Sequence, residues 1–230
     1  MRRVPSRELL DDDAGTAAEV MDSLADIRFL NHYFGGLPTT LCMVRRVVKA
    51  SKRADLSMLE VAAGTGDLPR CVRARMQKNG VDLRLTLLDR CASHMCEERR
   101  KVVADALALP FADSTFDLIN CCLFVHHLSP EQVAAFVKEA LRCSRVAVLI
   151  NDLVRHPIHF AMACAGRLIY RSRITRNDAP ASVRQSYTTE EMRNMLQDCG
   201  AARVDITRHY FYRMGAIVWK TSNGDRCSNV

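Results

Sequence analysis

The sequence is poor in aromatics, at 6% with a single tryptophan, and holds 7 prolines in 230 residues. Few flat side chains leave few platforms for stacking nucleic-acid bases. No window approaches the ~20 apolar residues that a membrane helix needs. None of the ten cysteines (42, 71, 91, 96, 121, 122, 143, 164, 199 and 227) forms a Cys-x-x-Cys pair, and no paired histidine follows at zinc spacing. That leaves no sequence signature for a metal site built on thiols. Several cysteines lie inside apolar runs, as in Cys121-Cys122-Leu123-Phe124, and read as small buried thiols of a reducing compartment. The opening Met1-Arg2-Arg3-Val4-Pro5 soon meets Asp11-Asp12-Asp13 and has no apolar signal-like stretch, so a cytoplasmic location is expected.

What is present is ordinary for a soluble domain: 48% hydrophobic and 26% charged residues, with a net charge of +7. The positive excess is local. Arg45, Arg46, Lys49, Lys52 and Arg53 form one group, and six arginines between Arg155 and Arg184 face a single acid, Asp178. Solvated helix faces are the plain reading of both groups, and an anionic surface or ligand is the other.

Periodicity divides the chain into residues 1–54, an N-terminal helical segment, and 55–220, the main domain, with a polar tail over 221–230. Ala17, Val20, Met21, Leu24 and Ile27 form a helical stripe that Gly35-Gly36-Leu37-Pro38 ends. A second helix fits Thr39 to about Lys52. Strand patterns at Met58–Ala62, Leu83–Leu88, Val102–Ala104, Phe116–Phe124 and Val146–Ile150 then alternate with helix patterns at 68–78, 91–100 and 130–143. Alternation of this kind predicts βαβ units and a parallel sheet. Right-handed crossovers place every strand's C-terminal end on one edge, where ligands bind. Glu60, Asp89, Asp105 and Asp152 fall at or near such ends.

Residues 153–185 interrupt the alternation. Ile158, Ala161, Met162, Ala165, Leu168 and Ile169 form a helical apolar stripe, read first as core, followed by a polar connector from Thr175 to Ser182. A helix from Thr189 to Gly200 and two strands, Val204–Tyr212 and Ala216–Lys220, complete the pattern as a hairpin.

The loop Glu60-Val61-Ala62-Ala63-Gly64-Thr65-Gly66 suits close approach of a ligand to backbone at a helix N-terminus. No dinucleotide-type G-x-G-x-x-G can be drawn through it. It resembles motif I of the class I S-adenosylmethionine-dependent methyltransferases, [E/D]-x-G-x-G-x-G, with Ala62 in place of the first glycine. Leu87-Leu88-Asp89 and Asp105-Ala106-Leu107-Ala108-Leu109-Pro110-Phe111-Ala112-Asp113 are similar to the segments that follow, the second to D-A-x-x-L-P-F-x-D. The nearest look is to the ubiquinone/menaquinone-biosynthesis methyltransferases and their small-molecule relatives, over about residues 55–152.

The resemblance implies an α/β fold: a Rossmann-like parallel sheet with a C-terminal antiparallel hairpin strand, N-terminal helices and a helical lid at about 153–185. It implies S-adenosyl-L-methionine as cofactor, with Glu60, Ala62, Gly64 and Gly66 around its methionine part. Asp89 with Arg90 would meet the ribose, and Asp105 with Ala106 the adenine. It implies methyl transfer to oxygen or carbon of a small, partly hydrophobic acceptor. His127 is the candidate base, with His126, Asn151, Asp152 and Tyr170 as candidate acceptor contacts. Structural duties remain open for four of these: packing or helix capping for the histidines, and a backbone-satisfying turn for Asn151 and Asp152. A nucleic-acid acceptor is not expected, because Asn120-Cys121-Cys122-Leu123 is not the [D/N]-P-P-[Y/F] of amino-methylating enzymes. The arginine-flanked stripe of the lid also suits peripheral contact with a membrane surface. A non-catalytic cofactor-binding subunit is the alternative reading.

Overall fold

The computed structural model describes residues 1–95, 98 and 100–220. Residues 1–14 form an extended strap that crosses the domain and pins itself at several points. Arg3 donates to the carbonyls of Gln185, His126 and Leu128, and Asp178 accepts from the backbone N–H groups of Leu9 and Leu10. Two helices follow, α1 (Ala17–Tyr33) and α2 (Gly36–Ser51). Thr16 caps α1 through a reciprocal pair with Glu19.

Alternating elements then build the sheet: β1 (Asp55–Val61), α3 (Asp67–Gln77), β2 (Asp82–Asp89), β3 (Lys101–Val103), β4 (Phe116–Cys122), α4 (Pro130–Cys143) and β5 (Ser144–Leu153). The C-terminal part adds α5 (Pro157–Gly166), α6 (Arg173–Gln185), α7 (Thr189–Gln197), β6 (Arg203–His209) and β7 (Arg213–Trp219). Seven strands run in the order β3-β2-β1-β4-β5-β7-β6, with β1 to β5 parallel and β7 antiparallel to both its neighbours.

Alternation along each strand feeds two cores. Leu59, Val61, Ile119 and Val148 face α4 and α7, whose Phe136, Val137 and Met192 are fully buried. Met58, Leu118, Ala147 and Leu149 face α2 and α3, packed on Val44, Val47, Val72 and Met76. The strand order turns back between β1 and β4, and that reversal opens a crevice beyond their C-terminal ends.

Three expectations need correction. The helix expected over 91–100 is a single 3₁₀ turn at Ala92–His94, with Cys96, Glu97 and Arg99 outside the described residues. Asp89 accepts from the Cys91 N–H, and Asp13 holds the His94 ring at 2.6 Å. The Thr175–Ser182 connector is the body of α6. Its polar residues Thr175, Asp178, Ser182 and Gln185 are buried because the strap and α1 satisfy them. The apolar stripe of 158–169 is not core: Ile158, Leu168 and Ile169 are exposed. Met162, Ala165 and Ile169 instead line a cavity.

Candidate functional site

A cavity of about 890 Å³ lies along the C-terminal edge of β1, β2 and β4 and beneath the strap, α1, α5 and α6. That is near the upper end for small-molecule sites. Its two ends differ in chemistry.

One end is built by residues 60–107. Three residues of the β1–α3 loop adopt the left-handed conformation: Ala62 at φ +54°, Gly64 at +50° and Gly66 at +69°. A side chain on Gly64 would project into open space, so the bare backbone there faces the cavity. A side chain on Gly66 would meet Leu87 Cδ1 at 2.4 Å, so this glycine lets the turn close on β2. Gly66 is outside the cavity lining; Glu60, Ala62, Gly64, Asp89, Arg90, Asp105 and Ala106 are within it. Asp89 Oδ2 accepts from the Gly64 N–H at 2.8 Å and Oδ1 from the Cys91 N–H at 2.9 Å, which ties the loop to the end of β2. Asp105 Oδ1 accepts from the Leu107 N–H at 2.9 Å. Glu60 is buried, and burial pushes its carboxyl up to about 8, although the Asn120 amide donates to it at 2.7 Å.

These features fit the cofactor that the loop implies. The Gly64 backbone is open to the cavity, and the acids Asp89 and Asp105 at or just beyond successive strand ends offer acceptors to a nucleoside's hydroxyls and amine.

The other end is a chamber with an apolar wall from Leu24, Ile27, Phe34, Met162, Ile169 and Val183. His126 and His127 form a 3₁₀ turn after β4 and enter the chamber together, with ring centroids 4.2 Å apart. His126 is 2% exposed, and its Nδ1–H donates to Asp152 at 2.7 Å. Burial disfavours a charged imidazole here, but Asp152 and Glu8 outweigh it and raise His126 to about 10. Asp152 is held below the ordinary carboxylate range by His126 against its own desolvation. His127 pairs with Asp11 at 2.9 Å and lies 3.9 Å from Glu8.

The candidate acceptor contacts separate. His126 and Tyr170 line the chamber. Asn151 and Asp152 stand outside its lining. Asn151 donates to the Gly36 carbonyl at 2.7 Å and to Thr40 at 2.8 Å, tying β5 to the start of α2. Asp152 stands behind His126.

Sequence reasoning missed Glu8, Asp11 and Arg213, all of which line the chamber. The strap has no periodicity to mark its residues. Arg213 is buried, bonded to Asn31 at 3.0 Å, and its Nε has no hydrogen-bond partner among the described residues. It opens a strand in the sequence, so the one available signal was an arginine ahead of the apolar run Met214–Trp219.

The chain has relatives among known methyltransferases. A methyltransferase domain family matches residues 58–146. A ubiquinone/menaquinone biosynthesis C-methyltransferase of Laribacter hongkongensis is 26% identical over 215 residues, covering 85% of this chain and 87% of the relative. One bearing the same name from Rhizobium meliloti is 30% identical over 182 residues, covering 68% and 69%. The chain belongs to the class I S-adenosylmethionine-dependent methyltransferases. Solved structures with the same fold include a methyltransferase from Methanosarcina mazei, at 14% identity and TM-score 0.53 over 76% of this chain and 96% of that one. Another is the magnesium protoporphyrin IX methyltransferase of Synechocystis with bound S-adenosylhomocysteine, at 13% identity and TM-score 0.51 over 79% and 82%. The fold is thus that of a methyltransferase, and no helix among the described residues is long and apolar enough to cross a membrane.

Proposed function

We propose that this methyltransferase moves a methyl group to a small, partly hydrophobic acceptor with an acidic oxygen or carbon, a quinol ring foremost, and that the ring carbon takes the methyl. One observation carries the reading. A single cavity joins the cofactor-type edge to a chamber with one apolar wall and one histidine–carboxylate wall. An aromatic ring suits the first wall, and an ionisable hydroxyl suits the second. The names of the curated relatives favour the quinol and carbon methylation over a simple phenol or a polyketide-like acid.

Glu60, Gly64, Asp89, Asp105 and the Ala106 backbone are the residues assigned to hold the cofactor, with Ala62 and Gly66 shaping the loop and Arg90 beside the ribose. When bound, the cofactor supplies a methyl group already activated on a sulfonium. The protein's task is therefore alignment of the acceptor atom with that methyl. The apolar wall excludes water from the ring. His127 presents Nε2 to the chamber and is the residue assigned to the acceptor's proton or oxygen. His126 and Tyr170 bound the same space.

The test incubates the protein with S-adenosylmethionine and, separately, ring-unmethylated quinols, simple phenols and β-dicarbonyl acids. S-Adenosylhomocysteine formation gives the rate, and NMR of the product locates the methyl. A carbon-methylated quinol is expected. Methylation of phenol oxygen alone, or of no member of the panel, overturns the quinol reading. In His127→Gln, S-adenosylhomocysteine binding is retained while turnover falls about 10²-fold or more; unchanged turnover removes His127 from the chemistry.

A further inference from the structure

The two adjacent histidines that follow β4 are held in the same way. His126 is engaged through Nδ1 by Asp152 at 2.7 Å, and His127 through Nδ1 by Asp11 at 2.9 Å. A carboxylate only accepts, so each ring donates from Nδ1 to its partner and turns Nε2 away from it. Both Nε2 atoms face one further carboxylate: His126 Nε2 is 3.5 Å from Glu8 Oε1, and His127 Nε2 is 3.9 Å from Oε2.

These separations are too long for charge-assisted hydrogen bonds, which close to about 2.7–2.9 Å. The shorter matches the spacing of two ligands on one ion, and the longer exceeds it by about 0.5 Å. Nitrogen and oxygen atoms ~2.0–2.1 Å from a tetrahedral centre lie about 3.4 Å apart. The three ligand atoms lie within 4.8 Å of one another. Glu8 is itself fixed, with Oε1 accepting from Ser182 Oγ and Gln185 Nε2, both at 2.6 Å. A carboxylate behind each imidazole and hydrogen bonds behind the carboxylate are the supports that orient metal-ligating side chains.

We propose that Glu8, His126 and His127 bind one divalent first-row transition-metal ion in the chamber. Two imidazoles and one carboxylate are a donor set for such ions, and three protein ligands leave a coordination position for substrate. All three residues line the cavity, so that position faces it. A phenolic or enolic oxygen bound there is polarised by the ion, which then acts on the acceptor in place of the His127 Nε2 lone pair, and its ring is oriented relative to the cofactor-type edge. This last point rests on the reading that the chamber takes the acceptor; the metal site itself does not.

The test is direct binding to chelator-stripped full-length protein. Co²⁺ is titrated with optical detection and Mn²⁺ with electron paramagnetic resonance. The two other ligand clusters among the described residues, Asp13–Cys91–His94 and His32–Asp67–Cys71, each contain a thiol. Cobalt in either would show a thiolate charge-transfer band, and cobalt on Glu8, His126 and His127 would not. One equivalent bound without that band is expected, weakened about 10–100-fold in Asp11→Asn and further in His127→Gln. S-Adenosylhomocysteine binding by each variant confirms that it is folded. Asp11 is an exposed strap residue, so its variant carries the test if His127→Gln does not fold. No binding, a thiolate band, or affinity unchanged in both variants overturns the site. Metal binding without quinol methylation would sink the acceptor reading and leave the site standing; quinol methylation without metal binding would do the reverse.

Discussion

Ala62 is an L-residue at φ +54° in a turn whose other two left-handed positions are glycines, Gly64 and Gly66. A side chain in that conformation costs about 1–2 kcal/mol, because Cβ crowds the following carbonyl oxygen. Glycine removes the crowding but returns about 0.5–1 kcal/mol as extra freedom of the unfolded chain. Ala62→Gly is therefore expected to stabilise the protein by about 0.5–1 kcal/mol. At this chain length 1 kcal/mol shifts Tm by about 2–4 °C, so a rise of about 1–4 °C is expected. Calorimetry and urea unfolding both measure it, and S-adenosylhomocysteine titration checks that the loop still binds. Gly66→Ala is the control in the opposite direction. It puts a methyl at φ +69° and 2.4 Å from Leu87 Cδ1, so it should lose at least about 1–2 kcal/mol. If Ala62→Gly lowers Tm or leaves it unchanged, the strain argument is wrong, and the Ala62 methyl contributes packing that outweighs it.

Other expectations concern single groups. Asp89→Ala removes the acceptors assigned to the ribose, and S-adenosylmethionine affinity should fall by about 1.5–3 kcal/mol, the range for hydrogen bonds to a charged group; unchanged affinity by calorimetry refutes the assignment. Asn151→Ala leaves the Gly36 carbonyl and Thr40 without their donor, so urea unfolding should show a loss of about 1–3 kcal/mol for each group left bare. Its cofactor affinity should not change, and a selective loss of turnover at full stability would return Asn151 to the acceptor. Burial opposes ionisation of Asp117, but the Ser57 N–H and hydroxyl and Arg53 outweigh it, so in the folded protein its carboxyl is held below its ordinary value of about 3.8. The stability it contributes is present above that unfolded value and is lost as pH falls through the depressed one. The stability gap between wild type and Asp117→Asn should stay level above about pH 5 and narrow below pH 4; a gap that widens toward acid refutes the sign.

The loop and the strand-end acids of the cofactor-type edge were legible because the requirement is local. Short strands ending in Asp89 and near Asp105, and a loop of small residues, report their own geometry in consecutive letters. The chamber was not legible for the opposite reason. Glu8 acts by crossing the domain to meet residues 118 positions later, and nothing in its neighbourhood repeats. α6 misled because its inward face carries Asp178, Ser182 and Gln185, which look like solvent-facing residues until the strap satisfies them. The lid stripe misled in the complementary way. Met162 and Ile169 are apolar toward a cavity rather than toward packed protein. Of the histidine pair, the sequence favoured His127, while the more buried, carboxylate-backed ring is His126. Adjacent letters could not rank them.

The cavity's two ends draw on different stretches of chain. The cofactor-type end comes from one run, residues 60–107, whereas the roof of the chamber is assembled from the strap, α1, α5 and α6. Substitutions in the roof and in the loop are thus separable variables. A library confined to Leu24, Ile27, Met162, Ile169 and Val183 is expected to redirect the choice of acceptor while the dissociation constant for S-adenosylhomocysteine stays where it was. The inheritance of chemistry and the inheritance of specificity then travel in different segments of one gene, and a lineage can exchange its acceptor without rebuilding the edge that delivers the methyl group.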